Sequence, residues 1–371
     1  MKAVAITSKG LENLAVREVK EILGKEALSR DCVIFFEGSE KEILQFAYLA
    51  KSVKRVLILS GKTTIAVDKK ELFHAIEVMM KDVDVLGFVH GKTFKVETER
   101  FGEHGFNSLD ISSEISRLIV VKTKAVISLS APQVLFYCFV YQHDLYFGLD
   151  VSGFNLSQRD YNIFHVPHSL NGAIAYFLFR LAELKDGEVL LNHYCGSGAI
   201  AIEAALAMTH RSVHYYRKDK FVAGKIFGIN LTQFDKQKIT KTQFFAYDRG
   251  LPNITATKKN AQIAGVIKEL HISRVDTEWL DTRQEKKSVD KVIAQLPVPT
   301  KILSDKDVAP VYKEFFYQMD YMLKKKHLIV LIVAKDQLLK QCLGDYRIID
   351  ERKMMQGELV YTVLVLKKKE E

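Results

Sequence analysis

The stretch Leu190–Ala205, LLNHYCGSGAIAIEAA, constrains the fold of this chain more than any other. Val189–Leu191 is a short apolar, β-prone run. A Gly196-Ser197-Gly198 turn follows, then an alanine-rich helical run, Ala199–Met208. A strand, a glycine turn and a helix in that order build a ligand crevice at the carboxyl end of an α/β sheet. The glycines let backbone approach a ligand, and the free N–H groups of the helix face it. A Gly-x-Gly turn alone is weak evidence for a nucleotide site, but the downstream spacing strengthens it. Asp248 stands just after the next strand, Phe244–Tyr247, where a carboxylate grips a ribose diol. Asn260-Ala261 and Ala264-Gly265-Val266 follow on a helix over about Ile254–Gly265, and Asp276 follows a third strand candidate. Each acid also has a plain structural reading, Asp248 as a helix cap and Asp276 as a surface-loop charge.

The rest of the chain divides around this motif. At roughly 100–200 residues per domain, 371 residues suggest two or three domains. Residues 1–60 read as strand, helix, strand, helix, strand: Ala3–Thr7, the Leu11–Leu23 periodicity stopped by Gly24, Val33–Phe36, Glu42–Leu49 and Arg55–Ser60. That order suggests a small ferredoxin-like layer. Residues 61–153 add the helices Leu72–Met80 and Ile111–Lys122, the alternating strand Thr93–Glu99, and a hairpin of Val134–Tyr141 and Leu145–Val151. Residues 154–172 are polar and irregular and read as a linker. A helix over Ala173–Leu184 opens the third domain, 173–371. Its remaining strands are Val289–Ala294, His327–Val333, Tyr346–Glu351 and Val360–Leu366. Alternating strands and helices imply a mostly parallel, Rossmann-like sheet closed by an antiparallel hairpin.

Composition removes several function classes. Hydrophobic residues at 48% and charged residues at 27% are ordinary for a globular chain. No apolar run reaches the ~18–20 residues of a membrane span. The start, MKAVAITSKGLENL, lacks a signal-peptide core, so a cytoplasmic location is expected. The four cysteines are far apart, and the histidines lack ligand spacing; neither a disulfide framework nor a metal site is expected. The formal charge of +9 permits a polyanionic partner.

The pattern Cys195-Gly196-Ser197-Gly198 to Ile202-Glu203-Ala204-Ala205, then Tyr247-Asp248, Asn260-Ala261 and Ala264-Gly265-Val266, resembles class I S-adenosylmethionine-dependent methyltransferases of the THUMP-containing RNA methylase group. That group includes tRNA and rRNA guanine-N2 methylases. The N-terminal half is similar too, through Arg100–Asp110 (RFGEHGFNSLD) and Tyr146–Gly153 (YFGLDVSG). The segments Arg159–Tyr161 and His165–Leu170 resemble the family's linker. The resemblance implies a ferredoxin-like domain (1–60), a THUMP domain (61–153), a linker (154–172) and a class I methyltransferase domain (173–371). It implies S-adenosyl-L-methionine as cofactor, RNA (tRNA first) as partner, guanine N2 as acceptor, and a monomer. Asn192, Cys195, Gly196, Ser197 and Gly198 would face the methionine moiety, Asp248 the ribose and Asp276 the adenine amine. Gln295, Leu296 and Pro297 would orient the target base.

Two positions depart from the family pattern. Asn192 stands where the family has an aspartate that receives the cofactor ammonium, which implies about tenfold weaker binding. Gln295-Leu296-Pro297-Val298 stands where the family has Asn/Asp-Pro-Pro-Tyr/Phe. Glutamine reaches one methylene further, and a ~1 Å misplacement can slow a reaction ~100-fold. Val298 also removes an aromatic stacking face, worth about 1–3 kcal/mol. The alternative is a catalytically degenerate RNA-binding protein or complex subunit, in which Gln295–Pro299 is only a strand end and turn. Residues 211–245 form a basic insert with interleaved Tyr215, Tyr216 and Phe221, read either as a phosphate track or as a solvated loop. Glu203 and Glu269 read as helix-surface charges.

Overall fold

The structure, a computed structural model, describes residues 1–301, 303–356 and 359–369; positions 370–371 of the expected third domain lie outside them. The first half runs β1 (Lys2–Thr7), α1 (Glu12–Leu23), β2 (Leu28–Arg30), β3 (Val33–Glu37), α2 (Glu40–Leu49), β4 (Val53–Thr64), α3 (Lys69–Asp82), α4 (Leu86–Val89), β5 (Thr93–Phe101), α5 (Ser108–Thr123), β6 (Val126–Ile127), β7 (Val134–Tyr141) and β8 (Asp144–Asp150). The second runs α6 (Gly172–Leu181), β9 (Val189–His193), α7 (Ala199–Met208), α8 (Val222–Phe227), β10 (Gln243–Asp248), α9 (Leu251–Ala264), β11 (Leu270–Arg274), β12 (Val289–Gln295), α10 (Asp305–Met322), β13 (Leu323–Val333), α11 (Gln337–Gln341), β14 (Tyr346–Gln356) and β15 (Leu359–Lys368). The chain forms two compact units, Met1–Leu156 with His214–Phe234, and Ser157–Val213 with Asp235–Glu371. No helix of the described residues is long and apolar enough to cross a membrane.

The first unit is built on one eight-stranded sheet, ordered β2-β3-β1-β4-β8-β7-β5-β6. The boundary expected after residue 60 falls inside β4, which pairs with β1 on one side and β8 on the other. The two expected N-terminal domains therefore share a sheet. The reason is Val53–Thr64 itself, a strand long enough to serve both halves, with a register shift at Leu59/Gly61. Gly61 is required there, because a Cβ would stand 2.8 Å from Val83 Cγ2.

The basic insert is packed in part, which the solvated-loop reading does not foresee. Residues 214–234 cluster with the first unit. Phe221 is buried and packs edge-on against Tyr48 and Phe154. Arg217 is buried as well, its guanidinium 4.2 Å from the Phe154 ring centroid. Interleaved aromatics in a basic stretch here mark a packed segment, with cation–π contacts covering the buried charge.

The second unit is a seven-stranded sheet ordered β11-β10-β9-β12-β13-β15-β14. The first five strands are parallel, and β15 runs antiparallel between β13 and β14, forming the antiparallel hairpin the pattern implies. β9 lies between β10 and β12, so the order reverses there, and a topological switch point is where such sheets bind ligands. α7 is buried along Ala199–Leu206, which explains its lack of a polar face.

Candidate active site

The loops after β9, β10, β11 and β12 emerge together at the carboxyl edge of the parallel strands. After β9 the backbone turns sharply through positive φ at Tyr194 (56°), Gly196 (56°) and Gly198 (86°). At Gly198 a Cβ would stand 2.7 Å from Thr257 Cγ2, so only glycine fits between the turn and α9. α9 holds the turn with two buried side chains one helical turn apart. Thr257 Oγ1 donates to the Gly196 carbonyl at 2.9 Å, and Asn260 Nδ2 donates to the Ser197 carbonyl at 2.9 Å. Cys195 N–H donates to the Tyr247 carbonyl at 3.0 Å, extending the β9–β10 ladder. Cys195 is buried with its sulfur 3.5 Å from Thr257 Oγ1, and burial pushes its thiol up to about 12.

Asp248, the last residue of β10, is buried and turned inward. Its Oδ2 accepts from Gly196 N–H at 3.1 Å; its Oδ1 accepts from Gly250 N–H at 2.8 Å and Asn253 Nδ2 at 2.9 Å. The carboxylate thus fixes the glycine turn before any ligand arrives. Asn192 is fully buried on β9, and its Nδ2 donates to the Ile293 carbonyl of β12 at 2.9 Å. An ionised aspartate, acceptor only, is unable to make that bond. Asn192 Oδ1 has no partner among the described residues. Asp276 is exposed at the end of β11, and its Oδ1 accepts from Thr277 N–H at 2.7 Å.

Thr277 joins the loops after β9 and β11: its Oγ1 lies 2.9 Å from His193 Nε2 and 2.7 Å from the Tyr194 hydroxyl. Burial pushes the His193 imidazole down to about 3. In the unfolded chain it titrates near ~6.5, so below that pH only the unfolded state gains the proton. This contribution is neutral above about pH 6.5 and destabilises progressively down to about pH 3, by about 1.4 kcal/mol per unit. Between pH 7.5 and 5.5 the wild type is expected to lose about 1.3 kcal/mol more stability than His193→Phe, read by urea unfolding of both at each pH. Equal losses would show that the ring is protonated in the fold.

Residues 157–172 of the expected linker belong to this unit and are tied to it at several points. Arg159 Nε donates to Glu203 Oε1 at 2.7 Å, and the Tyr161 hydroxyl donates to the same oxygen at 2.7 Å. Both charged side chains are almost wholly buried, at 1% and 0% exposure, so Glu203 is an internal ion-pair partner and not the surface charge the sequence suggests. Gly172 makes room, since a Cβ there would stand 2.5 Å from Arg159 Cγ. Asn260 grips Phe164 through both amide ends, at 3.0 Å each. Gln295 Nε2 donates to the His168 carbonyl at 3.0 Å, and Gln356 bonds Ser169 O and Asn171 N.

The loop after β12 is anchored from α10. Leu296 is buried, the Pro297 carbonyl accepts from the Tyr312 hydroxyl at 2.6 Å, and Val298 packs against the same apolar cluster. Topology thus brings Asn192, Cys195, Gly196, Ser197, Gly198, Asp248, Asp276, Gln295, Leu296 and Pro297 to one edge of the sheet. Sequence reasoning missed Thr257, Thr277 and Tyr312. A small hydroxyl three residues before Asn260 was the available signal for Thr257. Among the described residues no group of three His, Cys, Asp or Glu is placed to hold a metal ion.

Comparison with known proteins agrees with this arrangement. Residues 53–150 match the THUMP domain. The chain is 28% identical to a tRNA (guanine(6)-N2)-methyltransferase of Methanocaldococcus jannaschii, over 97% of this chain and 98% of that one. It is 23% identical to a protein of the same name from Thermus thermophilus, over 98% of each. In fold it is similar to the crystal structure of TrmN from Thermus thermophilus, with TM-score 0.74, 20% identity and 99% of each chain covered. It is also similar to a possible methylase from Clostridium difficile 630, with TM-score 0.81, 20% identity, 100% of this chain and 98% of that one. Residues 159–363, more than half of the chain, match the UPF0020 family, the RMKL-like methyltransferase domain, and the protein belongs to that family.

Proposed function

We propose that this protein transfers a methyl group from S-adenosyl-L-methionine to the exocyclic N2 of a guanosine in tRNA, acting as a monomer in the cytoplasm. The observation that carries the reading is the glycine turn clamped by Asp248 and α9 beside the Gln295–Pro297 loop. Relatives named as tRNA guanine-N2 methyltransferases match the chain along almost its whole length and add to it.

The residues present fit the cofactor. Gly196 and Gly198 keep the turn free of side chains, and the unpartnered, buried Asn192 Oδ1 suits the methionine ammonium. Asp248 has three acceptor directions filled, and a carboxylate offers about four, which leaves one for a ribose hydroxyl. Asp276 supplies an exposed carboxylate for the adenine amine. When bound, this cofactor provides an activated methyl group on a sulfonium sulfur.

The chain's own part is orientation. Gln295 turns its Nε2 to His168, so its Oε1 remains as an acceptor, and the Leu296 carbonyl is a second. Two acceptors on the guanine N2–H groups aim the nitrogen lone pair at the methyl. The Tyr312 bond to the Pro297 carbonyl holds that loop still. Cys195 is buried against Thr257, and burial pushes its thiol up to about 12, which keeps it protonated at neutral pH. The THUMP segment and the +9 charge suit RNA held by its phosphates and shape. The test is nucleoside mass spectrometry of unmodified tRNA incubated with enzyme and S-adenosyl-L-methionine. N2-methylguanosine is the expected product; methyl on any other nucleoside refutes the assignment.

A further inference from the structure

A groove of about 600 Å³ lies between linker residues 163–166 and the first turns of α9, from Leu251 to Ala256. None of the steps above uses it. Its walls are apolar yet exposed: Ile163 is 61%, Leu251 60% and Phe164 37% exposed. Phe164 is nevertheless held firmly, its N–H and carbonyl both gripped by Asn260. A rigid backbone under an exposed aromatic ring is a prepared surface, since ordering it gains little burial.

The charge placed directly at the groove is a lysine. Residues 161–171 and 249–264 contain no Asp or Glu, and they carry Arg249, Lys258 and Lys259. The Lys259 ammonium lies 4.5 Å from the Phe164 ring centroid. α9 has no side-chain cap at its N-terminus, so its first N–H groups add partial positive charge at the same end. The acid Asp248 borders the same end, and its carboxylate is taken up by Gly196 N–H, Gly250 N–H and Asn253 Nδ2. An exposed aromatic ring with a lysine ammonium beside it is the chemistry that takes an unpaired nucleotide: base on ring, phosphate on cation.

Position ties the groove to the reaction. Val166, at the end of its linker wall, has Cγ2 only 3.7 Å from where a Cβ at Gly196 would stand. Taking a base out of a helix leaves its neighbours unstacked, and a stacking surface one step away offsets that loss. We propose that this groove holds the nucleotide adjacent to the methylated guanosine, its base stacked on Phe164 and its phosphate near Lys259. The proposal rests on the reading of the protein as an RNA methyltransferase and adds a subsite to it.

The experiment measures the affinities of the full chain for unmodified tRNA and for S-adenosylhomocysteine, in wild type, Phe164→Ala, Phe164→Trp and Lys259→Ala. Thermal melting checks that each variant folds. Phe164→Ala is expected to weaken tRNA binding about tenfold, and Phe164→Trp to stay within about twofold of wild type. Lys259→Ala is expected to reduce the slope of log K against log salt by about one. S-adenosylhomocysteine affinity is expected to be the same in all four. Wild-type tRNA affinity in Phe164→Ala overturns the subsite. So does a loss of S-adenosylhomocysteine binding without loss of tRNA binding, which would assign the groove to the cofactor. A wild type that binds no tRNA defeats the methyltransferase reading itself, and the subsite with it.

Discussion

Glu203→Ala is expected to destabilise the second unit by about 3–5 kcal/mol, because it takes the paired carboxylate away from an Arg159 guanidinium that is 1% exposed. Removing one member of a buried pair costs far more than a surface ion pair is worth, since a charge already out of water loses its counter-charge. The Tyr161 hydroxyl loses its acceptor in the same step. For a unit of this size the shift in melting temperature is roughly 6–20 °C. Replacing both partners, Arg159→Leu with Glu203→Leu, is expected to recover most of the loss, because neither charge then remains buried. A single-variant cost below about 1 kcal/mol would show that the pair is solvated. The functional consequence runs through the linker, whose entry to the site this pair fixes against α7.

Asp248→Asn is expected to weaken S-adenosylhomocysteine binding about 100-fold or more, read by calorimetry on protein that still melts cooperatively. The change looks conservative, but all three groups facing Asp248 are donors. The amide keeps one acceptor oxygen and sets an NH2 group against the N–H of Gly196 or of Gly250. Leaving a buried donor unsatisfied costs about 1–3 kcal/mol. Losing the last acceptor direction removes the ribose contact as well, and about 2.7 kcal/mol corresponds to 100-fold. Unchanged affinity in Asp248→Asn would mean that the turn keeps its shape without the carboxylate and that the cofactor does not touch it.

Much of the architecture was legible because it is written in local periods. The Val189–Met208 run of strand, turn and helix and the apolar strands at Phe244 and Val289 fall where the pattern places them. Asp248 and Asn260 were legible for the same reason, since each keeps a fixed offset from a strand or helix. What was illegible depends on contacts between distant segments. Glu203 looks like one more charge on a helix, and only the fold brings Arg159 and Tyr161 against it. Arg217 and Phe221 look like part of a solvated basic loop, and only the fold places Phe154 and Tyr48 beside them. The shared β4 hides the expected domain boundary, because a long strand reads the same whether one sheet or two claim it. α10 escaped because Pro310 interrupts its pattern, although Ser304 and Asp307 form a capping box and Val308, Tyr312, Phe315, Met319 and Met322 recur at helical spacing.

The role of Gln295 and its neighbours follows from the same contrast. Beside the family pattern, Gln295-Leu296-Pro297-Val298 reads as damaged. In the fold Gln295 Nε2 donates to the His168 carbonyl, which under the proposed function leaves Oε1 for the base, while the Tyr312 hydroxyl holds the Pro297 carbonyl. The most direct measurement compares tritiated methyl transfer from S-adenosyl-L-methionine to a full tRNA and to the same tRNA with inosine in place of its guanosines. Inosine lacks the exocyclic amine and leaves the rest of the purine in place. The expected result is label on the guanosine tRNA and none on the inosine tRNA. Equal labelling of both, or none on either by protein shown to bind S-adenosylhomocysteine, would contradict methyl transfer to guanine N2.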